Sequence, residues 1–130
     1  MLNGFETYTE SLSEDELAMI PFFIRGFENK IGSSNAITNK KIVERMKVRF
    51  PGITEVRVRK IINYLRNNDL VPGLVASSMG YYITHDEKEI ERYIESLAGR
   101  ESEIRRVKKR FEEFLYKLKN KQQGEIIYGQ

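Results

Sequence analysis

The sequence predicts a mainly α-helical chain with one small β-hairpin, an α+β protein that ends in a single long helix. Three observations carry this prediction. Apolar residues recur at helical spacing in three segments before residue 69. Two short segments rich in β-branched and aromatic residues follow them. Apolar residues then recur every seven positions from Ile90 to Leu118, which is the spacing of a coiled coil.

The first helix is predicted to begin at Ser13 and to end near Gly32. Ser13 and Glu16 have the spacing of a capping box, and the acidic first turn suits the positive end of the helix dipole. Pro21 is expected to kink this helix or to delay its start. The residues expected to face the core are Leu17, Ile20, Ile24, Phe27 and Ile31.

The second and third helices are separated by Phe50-Pro51-Gly52, a sequence that stops a helix. Thr38 is predicted to cap a second helix over about 39–49, and Thr54 a third helix over about 55–68. The inward residues of the second helix are predicted to be Ile42, Val43 and Met46. Those of the third are predicted to be Val58, Ile61, Ile62 and Leu65.

A hairpin is predicted from residues 70–76 and 81–84, joined by a four-residue loop, Ser77-Ser78-Met79-Gly80. Ala36-Ile37 is expected to form a very short strand. Two helices, a tight connection, a third helix and a hairpin follow one another in the order of a winged helix-turn-helix domain. We assign this domain to residues 13–85, because the chain is long enough for one modest core.

The segments outside this domain are a flexible N-terminus at 1–12, a long C-terminal helix at 86–121 and a flexible tail at 122–130. The seven-residue repeat of the long helix predicts a coiled coil. A coiled coil also requires a second apolar position in each heptad, which forms the companion seam. Four residues after the first position, Ile94 and Leu115 suit this seam, but Glu101 and Lys108 do not, so the companion seam is poor.

Two arrangements of the long helix are open. A straight helix would overhang its own domain and pair with a second copy, giving a homodimer. Alternatively, the helix breaks at Ala98-Gly99 and its second half folds back. The predicted dimerisation residues are Leu97, Ile104, Phe111, Leu115 and Leu118.

Positive charge is concentrated in one block of the chain. The net charge is +3, but residues 30–68 hold ten basic residues and two acidic ones, whereas residues 1–29 hold one basic and six acidic. Such a block suits a polyanionic partner, although it is often only a solvated face.

The third helix, placed at residues 54–68, is expected to lie in the major groove of double-stranded DNA. Arginine and lysine suit guanine or phosphate, asparagine suits adenine, and an exposed valine suits a thymine methyl. The outward residues are Val56, Lys60, Asn63 and Asn67, flanked by Arg57, Arg59 and Tyr64. Lys40, Lys41 and Arg45 of the second helix are interpreted as phosphate contacts. The alternative for this outward face is a solvated surface without a ligand.

The hairpin departs from a DNA-binding pattern, because residues 70–84 contain no lysine or arginine. This favours a rival interpretation, a protein-interaction module that does not contact DNA. Its apolar anchors would be Met79, Tyr81 and Tyr82, unless the tyrosines pack against the first helix.

Other classes of protein find little support in the composition. The chain has no cysteine and one histidine, His85, so we expect no metal site, no cofactor and no catalytic residues. No small-molecule substrate is evident. No run is apolar enough to span a membrane, and the polar, acidic N-terminus does not look like a secretory signal. We therefore expect a non-enzymatic cytoplasmic protein.

Several segments resemble a group of uncharacterised phage and prophage winged-helix proteins of gut Bacteroides-type bacteria. The resemblance covers about residues 18–110, and the matching segments are Asn35-Ala36-Ile37-Thr38-Asn39, residues 56–66, Leu70-Val71-Pro72, Ala76-Ser77-Ser78, Gly80-Tyr81-Tyr82-Ile83, Glu95-Ser96-Leu97 and Arg100-Glu101. It implies the winged fold and a mobile-element origin, and DNA binding only by analogy of fold. A regulator or replication accessory of phage type that binds DNA as a dimer is the function we expect.

Overall fold

The computed structural model describes the backbone of residues 11–128 and the side chains of residues 11–122. Its elements, in chain order, are α1 (Glu14–Phe27), a 3-10 turn (Ser33–Asn35), α2 (Asn39–Met46), α3 (Glu55–Asn67), β1 (Leu74–Ser77), β2 (Gly80–Ile83) and α4 (Glu87–Tyr128). The chain divides into two compact units, Met1–Ile90 and Glu91–Gln130. The predicted α+β class, with a small antiparallel hairpin and a long C-terminal helix, is confirmed at this level.

The start of α1 follows the predicted capping box. The hydroxyl of Ser13 accepts from the backbone N–H of Glu16 at 3.2 Å, and the Glu16 carboxylate accepts from the N–H of Ser13 at 2.9 Å. Pro21 lies inside the helix and does not delay its start. Most of the predicted flexible N-terminus lies outside the described residues, but Leu12 packs against the core.

The inward face of α1 agrees with the prediction only in part. Of the predicted residues, Phe27 is buried and Ile20 and Ile24 are partly buried against the core, whereas Leu17 and Ile31 are exposed. The other buried apolar residues of the helix are Met19 and Phe23, so the centre of the buried stripe is shifted by about one position. Ile31 is not on the helix at all, because α1 ends at Phe27 rather than near Gly32.

Both α2 and α3 begin at the threonines that the sequence indicates. The hydroxyls of Thr38 and Thr54 accept from the backbone N–H groups of Lys41 and Arg57, each at 3.2 Å. Helix α2 ends at Met46, three residues earlier than predicted. The four predicted inward residues of α3 are confirmed, since Val58, Ile61, Ile62 and Leu65 are almost completely buried. Burying each such side chain contributes about 1.5–3 kcal/mol.

The hairpin is tighter than predicted. Residues pair from Leu74 with Ile83 to Ser77 with Gly80, so the turn is the two residues Ser78-Met79 rather than four. Strand β1 begins at Leu74, because Asp69 to Gly73 form the turn that follows α3.

The hairpin is joined to the segment before α2 by backbone hydrogen bonds. The N–H of Ile37 donates to the Tyr81 carbonyl at 2.9 Å, and the N–H of Tyr81 donates to the Ile37 carbonyl at 2.8 Å. The predicted short strand is thus a single antiparallel bridge at Ile37. Gly80 permits this approach, because its φ is +118° and a Cβ there would lie 2.5 Å from the Ile37 carbonyl oxygen.

Helix α4 runs without interruption through Gly99, so the alternative of a break at Ala98-Gly99 is wrong. A glycine inside a helix costs only about 0.5–1 kcal/mol relative to alanine, and the neighbouring alanine, arginine and glutamate favour helix. The backbone stays helical to Tyr128, beyond the predicted end at 121; residues 129 and 130 of the predicted flexible tail lie outside the described residues. None of the helices described between residues 11 and 128 combines the length and apolar character required to cross a bilayer.

Candidate nucleic-acid interface

The outward face of α3 lies opposite its buried stripe. Val56, Arg59 and Asn67 are exposed on this face, and Asn63 and Tyr64 are partly buried at its edge. The structure therefore keeps five of the seven predicted α3 residues at the surface. A single exposed apolar residue is ordinary on a protein surface, so the exposure of Val56 does not by itself identify a ligand contact.

Arg57 is the first of the two predicted DNA contacts that the structure uses internally. Its Nε donates to Glu16 Oε2 at 2.9 Å, and its Nη1 donates to the Gly52 carbonyl at 2.9 Å. Its Nη2 also lies 3.6 Å from Asp15 Oδ2. The guanidinium therefore joins the first turn of α1 to the loop before α3.

Lys60 is the second predicted DNA contact that the structure uses internally. Its Nζ lies 2.9 Å from Glu16 Oε1, and the side chains of Lys60 and Glu16 are only 14% and 4% exposed. Burial alone would raise the pKa of Glu16. The N–H of Ser13 and the cations of Lys60 and Arg57 outweigh burial and lower this pKa from 4.5 to about 2. The carboxylate is therefore ionised, and both cations are held by it.

This cluster of Glu16, Arg57 and Lys60 was missed by the sequence analysis, which placed both cations on the DNA-binding face. The signal available was the spacing of Glu16 with Met19 and Phe23, which puts an acid on the buried stripe of α1. A carboxylate on a buried stripe requires a cationic partner, because an unpaired buried charge is strongly unfavourable.

The predicted phosphate contacts of α2 are at the surface. Lys40, Lys41 and Arg45 are all exposed. Lys41 lies 3.7 Å from Glu44, one turn along the helix, but both side chains are more than half exposed. Such a surface pair contributes little, so it leaves Lys41 able to contact a phosphate.

Two arginines, Arg45 of α2 and Arg49 just after it, lie near aromatic side chains of α1. The guanidinium of Arg49 lies 4.5 Å above the centre of the Phe22 ring, a cation–π contact. Arg45 lies at an apolar cavity of about 90 Å³ whose lining includes Phe22, Phe27 and Met46. This cavity carries no carboxylate or imidazole, so its lining offers no acid–base chemistry.

The tyrosines of the hairpin are buried, so they are not the exposed anchors that the rival interpretation required. The Tyr82 hydroxyl donates to the Glu89 carboxylate at 2.5 Å. Burial raises the pKa of Tyr81, while its hydrogen bond with Asn39 and the charges of Arg59 and Arg66 oppose that rise. Met79, at the tip of the hairpin, is exposed.

The predicted dimerisation residues of α4 are exposed along one helix. Three further apolar residues of α4 are also exposed. Together with the predicted ones, the exposed aliphatic and phenylalanine residues are Ile94, Leu97, Ile104, Val107, Phe111, Phe114, Leu115 and Leu118. Val107 and Phe114 follow Ile104 and Phe111 by three residues, which is one of the two spacings between the core positions of a heptad; the predicted companion seam uses the other, a step of four.

Among the residues with described side chains, no three His, Asp or Glu side chains converge as metal ligands would. His85 is exposed between β2 and α4.

Comparison with known proteins found no family model, no curated protein and no solved structure that matches the chain. The resemblance to phage and prophage proteins stays a prediction.

Proposed function

We propose that the chain is a non-enzymatic, double-stranded-DNA-binding protein of winged helix-turn-helix type, with α3 in the major groove. The observation that carries this proposal is the outward side of α3, where exposed Arg59, partly buried Asn63 and exposed Asn67 follow one another at intervals of four residues. An arginine and two asparagines on one face can read guanine and adenine edges.

The helices α2 and α3 supply the two halves of the motif. They pack against each other through Ile42 and the buried stripe of α3, and both begin at threonine caps. In this docking mode the recognition helix contacts bases while the preceding helix contacts the backbone. Lys40, Lys41 and Arg45 are the phosphate contacts, and they set register without carrying sequence information.

Arg57 and Lys60 have a different part in this proposal. Both cations bind Glu16, so they hold α3 against α1 and present the remaining side chains. They also leave fewer cations for DNA, because two of the ten basic residues in the 30–68 block are engaged by Glu16 inside the domain. The affinity for phosphate therefore rests mainly on α2 and Arg59.

The biological setting of the proposal follows the sequence resemblance. We infer a regulator or replication accessory of phage or prophage type, acting in the bacterial cytoplasm as a homodimer that pairs through α4. The exposed apolar residues of α4 support the homodimer, since stripes of this size usually mark a partner.

The hairpin supports the second candidate, a protein-interaction module without DNA contact. Residues 70–84 contain no basic side chain, and Met79 presents an apolar tip. The burial of Tyr81 and Tyr82 weakens this candidate, because it removes two of its three anchors.

The experiment that separates the candidates is a fluorescence anisotropy titration of a labelled random-sequence duplex at two salt concentrations. DNA binding predicts an affinity that falls steeply with salt, with a slope that corresponds to several released counterions. If no binding occurs at low salt, DNA binding is wrong and the interaction module is favoured.

A further inference from the structure

The apolar stripe of α4 consists of Leu97, Ile104, Val107, Phe111, Phe114 and Leu118. These side chains are between 39% and 66% exposed. From Leu97 to Leu118 the stripe extends about 32 Å along the helix, at 1.5 Å per residue. Water is an unfavourable environment for apolar surface of this extent, so the stripe requires an apolar partner.

The spacing of the stripe is that of a coiled coil. Leu97, Ile104, Phe111 and Leu118 occupy the first core position of successive heptads. Val107 and Phe114 occupy the second core position of their heptads. In the heptad that begins at Leu97, the second core position is occupied by a polar residue, Arg100. The position of Arg100 determines which orientation of a partner helix fits.

We propose that the partner is a second copy of the chain, and that the two α4 helices pair antiparallel about a two-fold axis between Arg105 and Arg106. This deepens the proposed homodimer by assigning its orientation and register. It does not depend on DNA binding.

The antiparallel register matches most of the apolar residues of the stripe with one another. Ile104 faces the partner's Val107, and Leu97 faces the partner's Phe114. Arg100 faces the partner's Phe111, where the guanidinium can lie against the ring in a cation–π contact while its head reaches water. Each contact occurs twice because of the two-fold axis.

The charged residues beside the stripe are complementary in the same register. Glu101 faces the partner's Lys108, and Glu103 faces the partner's Arg110, which gives four opposite-charge pairs in the dimer. Ile94 and Leu115 extend the apolar contact at the ends of this row. Within one chain Glu101 pairs with Arg105 at 3.1 Å, but both side chains are about three-quarters exposed, so this surface pair competes weakly.

A parallel pair fits less well. It would place Arg100 directly against the partner's Arg100 in the core, and two close like charges repel each other. It would keep an attraction between Glu103 and the partner's Lys108, but Arg110 would face the partner's Leu115. The sequence around Arg100 therefore selects the antiparallel orientation.

The existence of the dimer is tested on the full chain by light scattering. We expect twice the 15.3 kDa mass of one chain. Ile104→Asp, at the centre of the stripe, should raise the dimer dissociation constant by more than about 100-fold, because it buries a charge in an apolar contact. Ser102→Asp, on the opposite side of the same helix turn, is the matched control and should stay dimeric. A monomeric wild type would overturn both the homodimer and its orientation.

The orientation is tested by electron paramagnetic resonance distances between spin labels. The chain has no cysteine, so Glu95→Cys, Ser102→Cys and Tyr116→Cys each provide one labelling site on the outer side of α4. The antiparallel register predicts axial offsets of about 32 Å for labels at 95 and at 116, and about 10 Å for labels at 102. A parallel dimer would give equal distances at all three sites. That result would overturn the orientation while leaving the proposed homodimer and DNA binding intact.

Discussion

The Nε of Arg57 donates to Oε2 of Glu16 across 2.9 Å and joins the first turn of α3 to the first turn of α1. Lys60 binds the other carboxylate oxygen at the same distance. The position of α3 against α1 is therefore set by a charged contact in addition to apolar packing. This contact decides which cations of the basic block stabilise the domain and which are available to a ligand.

Replacing the buried acid should destabilise the domain in a pH-dependent way. The pKa of Glu16 is lowered from 4.5 to about 2. The unfolded chain therefore binds the proton more tightly. The stabilisation is complete above about pH 5 and is lost as pH falls towards 2. At pH 7 Glu16→Gln should lower the free energy of unfolding by about 3 kcal/mol, measured by urea denaturation. The difference from wild type should shrink as pH falls to 2.

The control for this prediction is Glu14→Gln, an exposed acid in the same turn of α1. It should change stability by less than about 0.5 kcal/mol. A Glu16→Gln effect that stays constant between pH 7 and pH 2 would show that lost packing, not the ion pairs, explains the destabilisation.

Arg57 and Arg59 should separate stability from binding, although they are two residues apart on α3. Arg57→Ala leaves the buried Glu16 with one cation and should lower the free energy of unfolding by about 2–4 kcal/mol. Arg59→Ala removes an exposed side chain and should change it by less than about 0.5 kcal/mol, while weakening duplex binding several-fold. Chemical denaturation and anisotropy on the same two variants check the prediction. Normal DNA affinity of Arg59→Ala would contradict the assigned role of α3.

The two helices of the proposed motif should respond differently to substitution. Lys40→Ala and Lys41→Ala should each weaken binding to every duplex alike and reduce the salt slope by about one counterion, because they contact phosphate. Asn63→Ala should relax sequence preference at one position and leave the slope unchanged. The measurement is anisotropy against a set of duplexes at several salt concentrations, with Lys88→Ala of α4 as the control. An equal loss for the Lys88 variant would indicate that only net charge matters.

Two glycines should respond to alanine with opposite signs. Gly80→Ala would place a Cβ 2.5 Å from the Ile37 carbonyl oxygen at a φ of +118°, so we expect a loss of at least about 2 kcal/mol. Gly26→Ala, inside α1, meets nothing within 4 Å and should gain about 0.5–1 kcal/mol. Thermal unfolding of both variants measures the difference. A harmless Gly80→Ala would mean that the hairpin does not need the bridge to Ile37.

Local signals predicted the elements well. Capping residues at Ser13, Thr38 and Thr54 fixed where three helices begin, since each satisfies a backbone N–H within its own turn. The buried stripe of α3 followed from its spacing alone. Helix ends and the hairpin turn were less accurate, because they depend on where neighbouring segments pack. The two-residue turn at Ser78-Met79 is set by the pairing of Ser77 with Gly80.

The candidate site was predicted only in part. The helical spacing of α3 placed Val56, Asn63 and Asn67 on the outward face, and these residues are at the surface or its edge. The same spacing also assigned Arg57 and Lys60 to DNA contact, because the periodicity of one helix contains no information on α1. Their partner is more than forty residues away in the chain.

By itself, the sequence determined the order of helices and hairpin, the threonine caps, the apolar stripe of α3 and the heptads of α4. These features arise from interactions over a few residues. Only the tertiary structure decided that α1 turns Glu16 inward and that this carboxylate binds Arg57 and Lys60. The physical reason is that a buried charge must find its counter-charge in space, and contacts between distant segments leave no periodic pattern in the chain.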